Sequence, residues 1–162
     1  MSTTPHNQDE LEMIIKRNSS TIYKIAFIRT GSLHDAEDIM QEVFLRFVKR
    51  KPIFESAEHE KAWFIKTTIN RTKSLFGTPW KKNIVLTEDV KISEQNDAIE
   101  LLELILTLPN DISTAIHLHY YENMPIKDIA QIMNKSESAI KSLLFRGRKM
   151  LKFELTDTLK GE

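Results

Sequence analysis

The stretch from Pro125 to Leu151, PIKDIAQIMNKSESAIKSLLFRGRKML, constrains the chain most. Its apolar residues can be buried together only if two short helices pack across a tight turn. Ile126, Ile129, Ala130 and Met133 fall on one face of a first helix. The polar run Asn134-Lys135-Ser136 breaks the pattern, and Ile140, Leu143, Leu144, Gly147 and Leu151 resume it. Ala130 is small where the two helices must approach closely. Asn134 stands where the turn needs a positive φ, which Asn accepts almost as well as Gly. Ser136 offers a hydroxyl as N-cap of the second helix, and Glu137 in the first turn complements its dipole. This is the sequence form of a helix-turn-helix.

Charge suggests what the second helix faces. From Lys135 to Lys152 six basic residues (Lys135, Lys141, Arg146, Arg148, Lys149, Lys152) stand against one acid, Glu137, although the whole chain balances 23 Lys and Arg against 23 Asp and Glu. Such a local patch is the electrostatic form of phosphate contacts. A solvated amphipathic helix closing a small bundle is the plainer alternative, but the Ala, Asn and Ile offsets favour DNA binding.

With only 4 Gly and 5 Pro among 162 residues, and many Ile, Leu, Lys and Glu, the chain reads as all-helical, in one domain or two small ones. It has no cysteine, so neither a disulfide framework nor a thiolate metal site or nucleophile is possible, which fits a reducing cytoplasm. Nothing is long and apolar enough to insert in a membrane. The polar N-terminus MSTTPHNQDE lacks a basic-then-apolar signal, so a cytoplasmic protein is expected.

Taken in order, a first helix is expected from about Asp9, with Leu11, Ile14, Ile15, Ile22, Ile25 and Ala26 on one side and a bend or break at Asn18-Ser19-Ser20. Gly31 is its expected stop, and Ser32 the cap of the next. That second helix, Asp35 to about Arg50, has the cleanest periodicity: Ala36, Ile39, Met40, Val43, Phe44, Phe47 and Val48 are its expected core face. The other face reads Asp38, Gln41, Glu42, Leu45, Lys49. A leucine inside a polar stripe marks a candidate protein-docking surface.

Pro52 ends that helix, and a third is expected from roughly Glu58 to Phe76. Its inner seam is Ala62, Ile65, Ile69, Thr72 and Phe76, and Trp63, Lys66, Asn70 and Lys73 form an adjacent stripe with Arg71 beside it. An aromatic among cations and an amide suits unpaired nucleic acid; Trp63 by itself reads more simply as a core anchor. Residues 77–96 lose the helical period and read as a flexible linker with an extended piece at Ile84-Val85-Leu86. A helix from Asp97 to Thr107 ends at Leu108-Pro109, and another from about Asp111 to Tyr121 leads into the helix-turn-helix.

No enzyme is expected. His117 and His119 are two apart, so on an α-helix they point about 200° from each other and cannot share a metal. His6, His34 and His59 are isolated, and there is no glycine-rich phosphate loop or nucleophile motif. No cofactor is expected either.

The runs Asp35-Ala36-Glu37-Asp38-Ile39-Met40-Gln41-Glu42-Val43-Phe44, Ala62-Trp63-Phe64 through Asn70, Leu108-Pro109, Asp128-Ile129-Ala130 through Ile140-Lys141-Ser142, and Arg146-Gly147-Arg148-Lys149 resemble, in that order and spacing, the two conserved regions of the extracytoplasmic-function (group IV) sigma factors of bacterial RNA polymerase. The resemblance reaches from the first helix to Lys152, and its acidic run is the part most specific to that family. It implies an all-α chain of two small helical domains. A region 2-like bundle would occupy residues 1–76 and a region 4-like helix-turn-helix domain residues 97–162, with the linker 77–96 between them. It also implies partners: bacterial core RNA polymerase, promoter DNA, and an anti-sigma factor that would cover one or both DNA-binding faces.

Roles follow from the resemblance residue by residue. Asp35, Asp38, Gln41, Glu42 and Leu45 would dock on the clamp helices of the largest polymerase subunit. Phe54, Glu55, Ser56, Trp63, Lys66, Asn70, Arg71 and Lys73 would capture the melted downstream promoter element. Ser136, Ser138, Lys141, Ser142, Phe145, Arg146, Arg148 and Lys149 would meet the upstream element in the major groove. The chain departs from the family pattern at Asn134 (usually Gly), Leu143 (commonly Arg), Ser74 (near a frequent Asp), and Asp111 and Ser113 (commonly Arg). These departures bear on individual DNA contacts, above all at Leu143, and not on the class. The alternative function is a free-standing helix-turn-helix regulator of duplex DNA, which would share only the second half.

Overall fold

Asn7 starts the first helix: its side-chain oxygen accepts from the Glu10 amide at 2.7 Å, and α1 runs from Gln8 to Thr30. The structure, a computed structural model, describes the backbone of residues 7–76 and 105–160 and the side chains of 7–73 and 105–152. The expected linker 77–96, with its extended piece at Ile84-Val85-Leu86, and most of the helix expected from Asp97 to Thr107 lie outside the described residues. By compactness the chain divides into two units, Met1–Pro79 and Trp80–Glu162. Every regular element among the described residues is helical.

The expected break at Asn18-Ser19-Ser20 does not occur: α1 is continuous there, and two of the three side chains bond back onto the helix that carries them. Ser19 Oγ donates to the Ile15 carbonyl at 2.7 Å and Asn18 Nδ2 to the Ile14 carbonyl at 2.8 Å. Gly31 ends α1 in the left-handed region (φ 71°, ψ 12°), its amide donating to the Phe27 carbonyl. Ser32 then caps α2, Leu33–Arg50, accepting from the Asp35 amide at 3.2 Å. Lys51 closes α2 with a positive φ of 46°, a stop the sequence assigned to Pro52 alone. Ser56 caps α3, Ala57–Phe76, accepting from the His59 amide at 3.0 Å.

Each of these three helices packs against the other two. Ile14, Ile22 and Ile25 of α1, Ile39, Val43 and Phe47 of α2, and Phe64, Ile65 and Ile69 of α3 are fully buried between them. Phe47 brings α2 into the aromatic part of this core, with ring centroids 5.1 Å from Phe64, 6.1 Å from Trp63 and 6.2 Å from Phe54. Two sequence expectations need correction. Val48 is 40 % exposed rather than core, since it lies about 100° round the helix from Phe47, away from α1 and α3. The seam of α3 runs through Phe64 and Thr68, both fully buried, while Ala62 is only half-buried.

A buried carboxylate joins α3 to α1. Glu60 accepts from Arg17 Nε at 2.8 Å, Arg17 Nη2 at 2.5 Å and Asn18 Nδ2 at 2.9 Å. The hydrogen bonds to Glu60 raise the Arg17 pKa, against a smaller opposing effect of burial. One turn from the other end of α3, Arg29 Nε of α1 donates to Thr72 Oγ1 at 2.7 Å.

In the second unit, α4 (Asn110–Ile116) passes into a five-residue π-turn, His117–Tyr121, followed by α5 (Ile126–Met133) and α6 (Glu137–Lys160). The helix expected from Asp111 to Tyr121 is therefore α-helical only in its first part. Helix α6 packs on both α4 and α5. A Cβ on Gly147 would sit 2.7 Å from Ile116 Cδ1 and 2.9 Å from Ile112 Cγ2, so glycine permits the close approach of α6 to α4.

Replacing Glu60 by Ala removes an acceptor from Asn18, which is only 5 % exposed, and from Arg17, which is open enough to rehydrate. The expected loss is about 2 kcal/mol of unfolding free energy, read by urea denaturation at unchanged m-value. Glu60→Gln, which keeps one acceptor oxygen, costs less. Equal stability of wild type and Glu60→Ala would show that the carboxylate does not hold α3 to α1.

Candidate docking and nucleic-acid surfaces

The outer surface of α2 carries the proposed docking residues. Asp38, Gln41, Glu42 and Leu45 are exposed, whereas Asp35 is half-buried beside the Ser32 cap. Leu45 is 54 % exposed, and Val48, one turn on, extends it into an apolar strip that sequence reasoning missed by counting Val48 as core. Asp38 sits 3.4 Å from His34 Nε2 in an exposed i, i+4 pair. Glu42 turns the other way and engages Arg71 Nε of α3 in a close ion pair, so the structure joins a residue assigned to docking with one assigned to DNA.

On α3, Lys66, Asn70 and Lys73 are exposed at i, i+4, i+7 spacing along one side. Trp63 and Phe54 are half-buried in the aromatic cluster, 6.0 Å apart, and hold the loop after α2 against the core rather than standing free as stacking platforms. Glu55 and Ser56 are exposed, but the Ser56 hydroxyl is occupied as the cap of α3. His59, which the sequence reading left isolated, fixes the same loop. Its Nδ1 accepts from the Glu55 amide at 3.0 Å and its ring meets Phe54 edge-on at 5.5 Å.

In the helix-turn-helix, Asn134 adopts φ 56°, ψ 49°, as its position requires, and the Lys135 amide reaches back to the Ala130 carbonyl at 2.9 Å. Ser136 Oγ accepts from the Ala139 amide at 3.0 Å, starting α6. Lys135 pairs with Asp111 at 3.4 Å, tying the turn to the first turn of α4. Ser138, Lys141, Ser142, Phe145, Arg146 and Lys149 are exposed on the outward side of α6, and Arg148, also exposed, stands at the border of that side, one turn on from the buried Leu144. Leu143 is only 7 % exposed, a core residue with no route to a base edge. Two of the cations have partners within the unit: Arg148 donates to Tyr120 Oη at 3.0 Å, and Lys149 Nζ lies 5.3 Å from the Phe145 ring centroid.

The π-turn explains both histidines. His117 Nε2 is 3.0 Å from Glu122 Oε2 and its ring stacks on Tyr121, whose pKa burial pushes up. His119 Nδ1 instead lies 3.1 Å from the Met124 carbonyl, so the two rings serve separate local contacts. No described helix is long and apolar enough to cross a membrane.

Two helical units, the second a helix-turn-helix, with an acidic-apolar strip on α2 and cationic faces on α3 and α6, agree with known families. Residues 14–78 match the family model of sigma-70 region 2, and residues 98–151 that of sigma-70 region 4. The chain belongs to the extracytoplasmic-function sigma factors of the sigma-70 family. It is 27 % identical over 171 positions to the ECF RNA polymerase sigma factor SigW of Bacillus subtilis, covering 93 % of this chain and 91 % of that one. With SigM of the same organism it shares 27 % over 155 positions, covering 88 % and 93 %. Among solved structures it is similar in fold to a chain of the co-crystal of the sigma factor RpoE with the anti-sigma factor NepR from Bartonella quintana, at a TM-score of 0.72 and 19 % identity over 92 % of this chain and 96 % of that one.

Because Asn134 holds a left-handed backbone, Asn134→Ala should cost about 1 kcal/mol of stability while Asn134→Gly should be close to neutral. Urea unfolding of the two variants beside wild type checks this, and an Ala variant as stable as the Gly variant would contradict it.

Proposed function

We propose that this chain is an alternative sigma factor: a non-enzymatic subunit that directs core RNA polymerase to a particular set of promoters and assists their melting. The observation that carries the reading is the presence, in one chain and in this order, of a region 2 match over 14–78 and a region 4 match over 98–151. A regulator binding duplex DNA unaided has no use for the first. Asp35, Asp38, Gln41, Glu42 and Leu45 dock on polymerase, and the exposure of Val48 adds it to that face. Lys66, Asn70, Arg71 and Lys73, with the loop Phe54-Glu55-Ser56, take up the unpaired downstream element. Phe54 and Trp63 contribute by fixing that loop and helix, as their half-buried cluster suggests.

The outward face of α6 reads the upstream element, Ser136, Ser138, Lys141, Ser142, Phe145, Arg146, Arg148 and Lys149 being the contacting set. The protein acts where polymerase is, in the cytoplasm. An anti-sigma factor, of the kind RpoE of B. quintana binds in NepR, is its expected inhibitor.

Reversing charge at Asp38 and Glu42 with Leu45→Asp should abolish capture of core polymerase with stability changed by less than about 0.5 kcal/mol per site away from the Glu42–Arg71 pair. Capture at unchanged affinity would mean the face is misassigned.

The two DNA-reading surfaces differ in the form of DNA they meet. Lys141→Ala or Arg146→Ala should weaken holoenzyme binding to the duplex upstream element, by about 1–3 kcal/mol where the contact is bidentate to a base. Asn70→Ala should leave closed-complex binding nearly unchanged and impair opening, because its base is already out of the stack. Filter binding beside permanganate footprinting separates the two. Normal melting by the Asn70→Ala holoenzyme would remove that residue from the reading.

A further inference from the structure

Glu137 is the one acid among the charged residues from Lys135 to Lys152, and it stands in the first turn of α6. It is exposed, and among the described residues its side chain has neither an ion pair nor a hydrogen bond. The two nearest cations along the chain leave it free: Lys135 is held by Asp111 at 3.4 Å, and Lys141, one turn on, forms no pair with it. The cations that remain, Lys141, Arg146, Arg148 and Lys149, begin one turn further along the helix. The N-terminal tip of α6 is therefore net anionic, Asp111 and Glu137 against Lys135, in a unit whose proposed partner is a polyanion.

That charge excludes one use of the tip and favours another. A helix N-terminus attracts phosphate through its free amides and its dipole, but here the Glu137 carboxylate occupies that field and repels a second anion. In a helix-turn-helix the N-terminal residues of the second helix meet base edges in the major groove, so a carboxylate carried there needs a donor. A carboxylate only accepts, and the groove offers two kinds of donor, the amino groups of cytosine N4 and adenine N6. Adenine N6 is flanked by acceptors on both sides, its own N7 and the O4 of thymine. Cytosine N4 has one such neighbour, the O6 of guanine, so the second carboxylate oxygen is repelled less there.

We infer that Glu137 is a specificity-determining residue, which accepts a hydrogen bond from the N4 amino group of one cytosine in the upstream element. The inference rests on the reading of α6 as the major-groove helix and adds to it the identity of a base. A carboxylate that only complements the helix dipole is the competing role, and it gives no base preference.

The test uses holoenzyme reconstituted with wild-type, Glu137→Ala or Glu137→Gln chain, on a duplex promoter library in which each upstream-element position is randomised in turn. Bound and unbound fractions are sequenced. Wild type should favour cytosine at one position, on one strand, by about tenfold over the other bases, toward the low end for a direct base contact. Glu137→Ala should lose that preference alone. Glu137→Gln should move it to adenine, because an amide can accept from N6 while donating to N7. Unchanged preferences at the other positions show α6 still seated in the groove; if Ala unseats it, the Gln variant, with the same side-chain length, decides. Cytosine favoured equally by all three chains, or by none of them, overturns the assignment. A gain in affinity by Glu137→Ala that is uniform over all sequences also overturns it, making Glu137 an uncompensated repulsion of phosphate. A wild-type holoenzyme with no preference at any upstream position instead overturns the α6 reading beneath it.

Discussion

The carboxylate of Glu60 is the constraint on which the first unit depends. Burying it without partners would be prohibitive, so α3 can begin only where Arg17 and Asn18 of α1 supply three donor contacts. With that end fixed, and Arg29 gripping Thr72 near the other, α3 has one register against α1. Apolar contacts alone tolerate sliding far better than a bidentate ion pair does. Everything assigned to α3 inherits its position from these two polar anchors, including where Asn70 and Arg71 lie relative to α2.

The second unit solves the same problem by backbone geometry. Its short helices, α4 and α5, are located by ends: the left-handed Asn134, the Ser136 cap and the Lys135–Asp111 pair set the turn, and Gly147 sets how closely the longer α6 lies on α4. Short helices bury little area each, so small geometric errors cost a large share of their stability. A unit of this kind is specified by its turns more than by its core volume.

Most of this was legible in the sequence, for identifiable reasons. Asn134, Gly31, Ser32 and Ser136 were readable because a cap or a positive φ restricts residue type locally. What stayed hidden depended on residues distant in sequence. Asn18 looked like a breaker because its partner, Glu60, is 42 positions away, and Val48 looked like core because periodicity says nothing about how wide a face the neighbours cover. The π-turn was hidden too. Five residues on an α-helix would point about 140° apart, yet His117 and Glu122 meet at 3.0 Å because the widened turn brings them together. The candidate surfaces were legible as lists of exposed side chains. The Glu42–Arg71 pair and the sequestration of Phe54 and Trp63 were not, since both depend on how α3 lies on α2.

Helix α6 is a part with two independent sides. Its inward residues are held at atomic distance, down to the missing Cβ of Gly147, so that side admits almost no variation. Its outward residues from Ser138 to Arg146 are exposed, and substitutions there leave the packing against α4 and α5 untouched, whereas Arg148 is tied to Tyr120. Change on this helix is therefore partitioned: lineages can drift on the outer side toward new partners without passing through an unstable intermediate, while the inner side remains a fixed mount. A chain built this way can diversify what it recognises far faster than it can alter its shape.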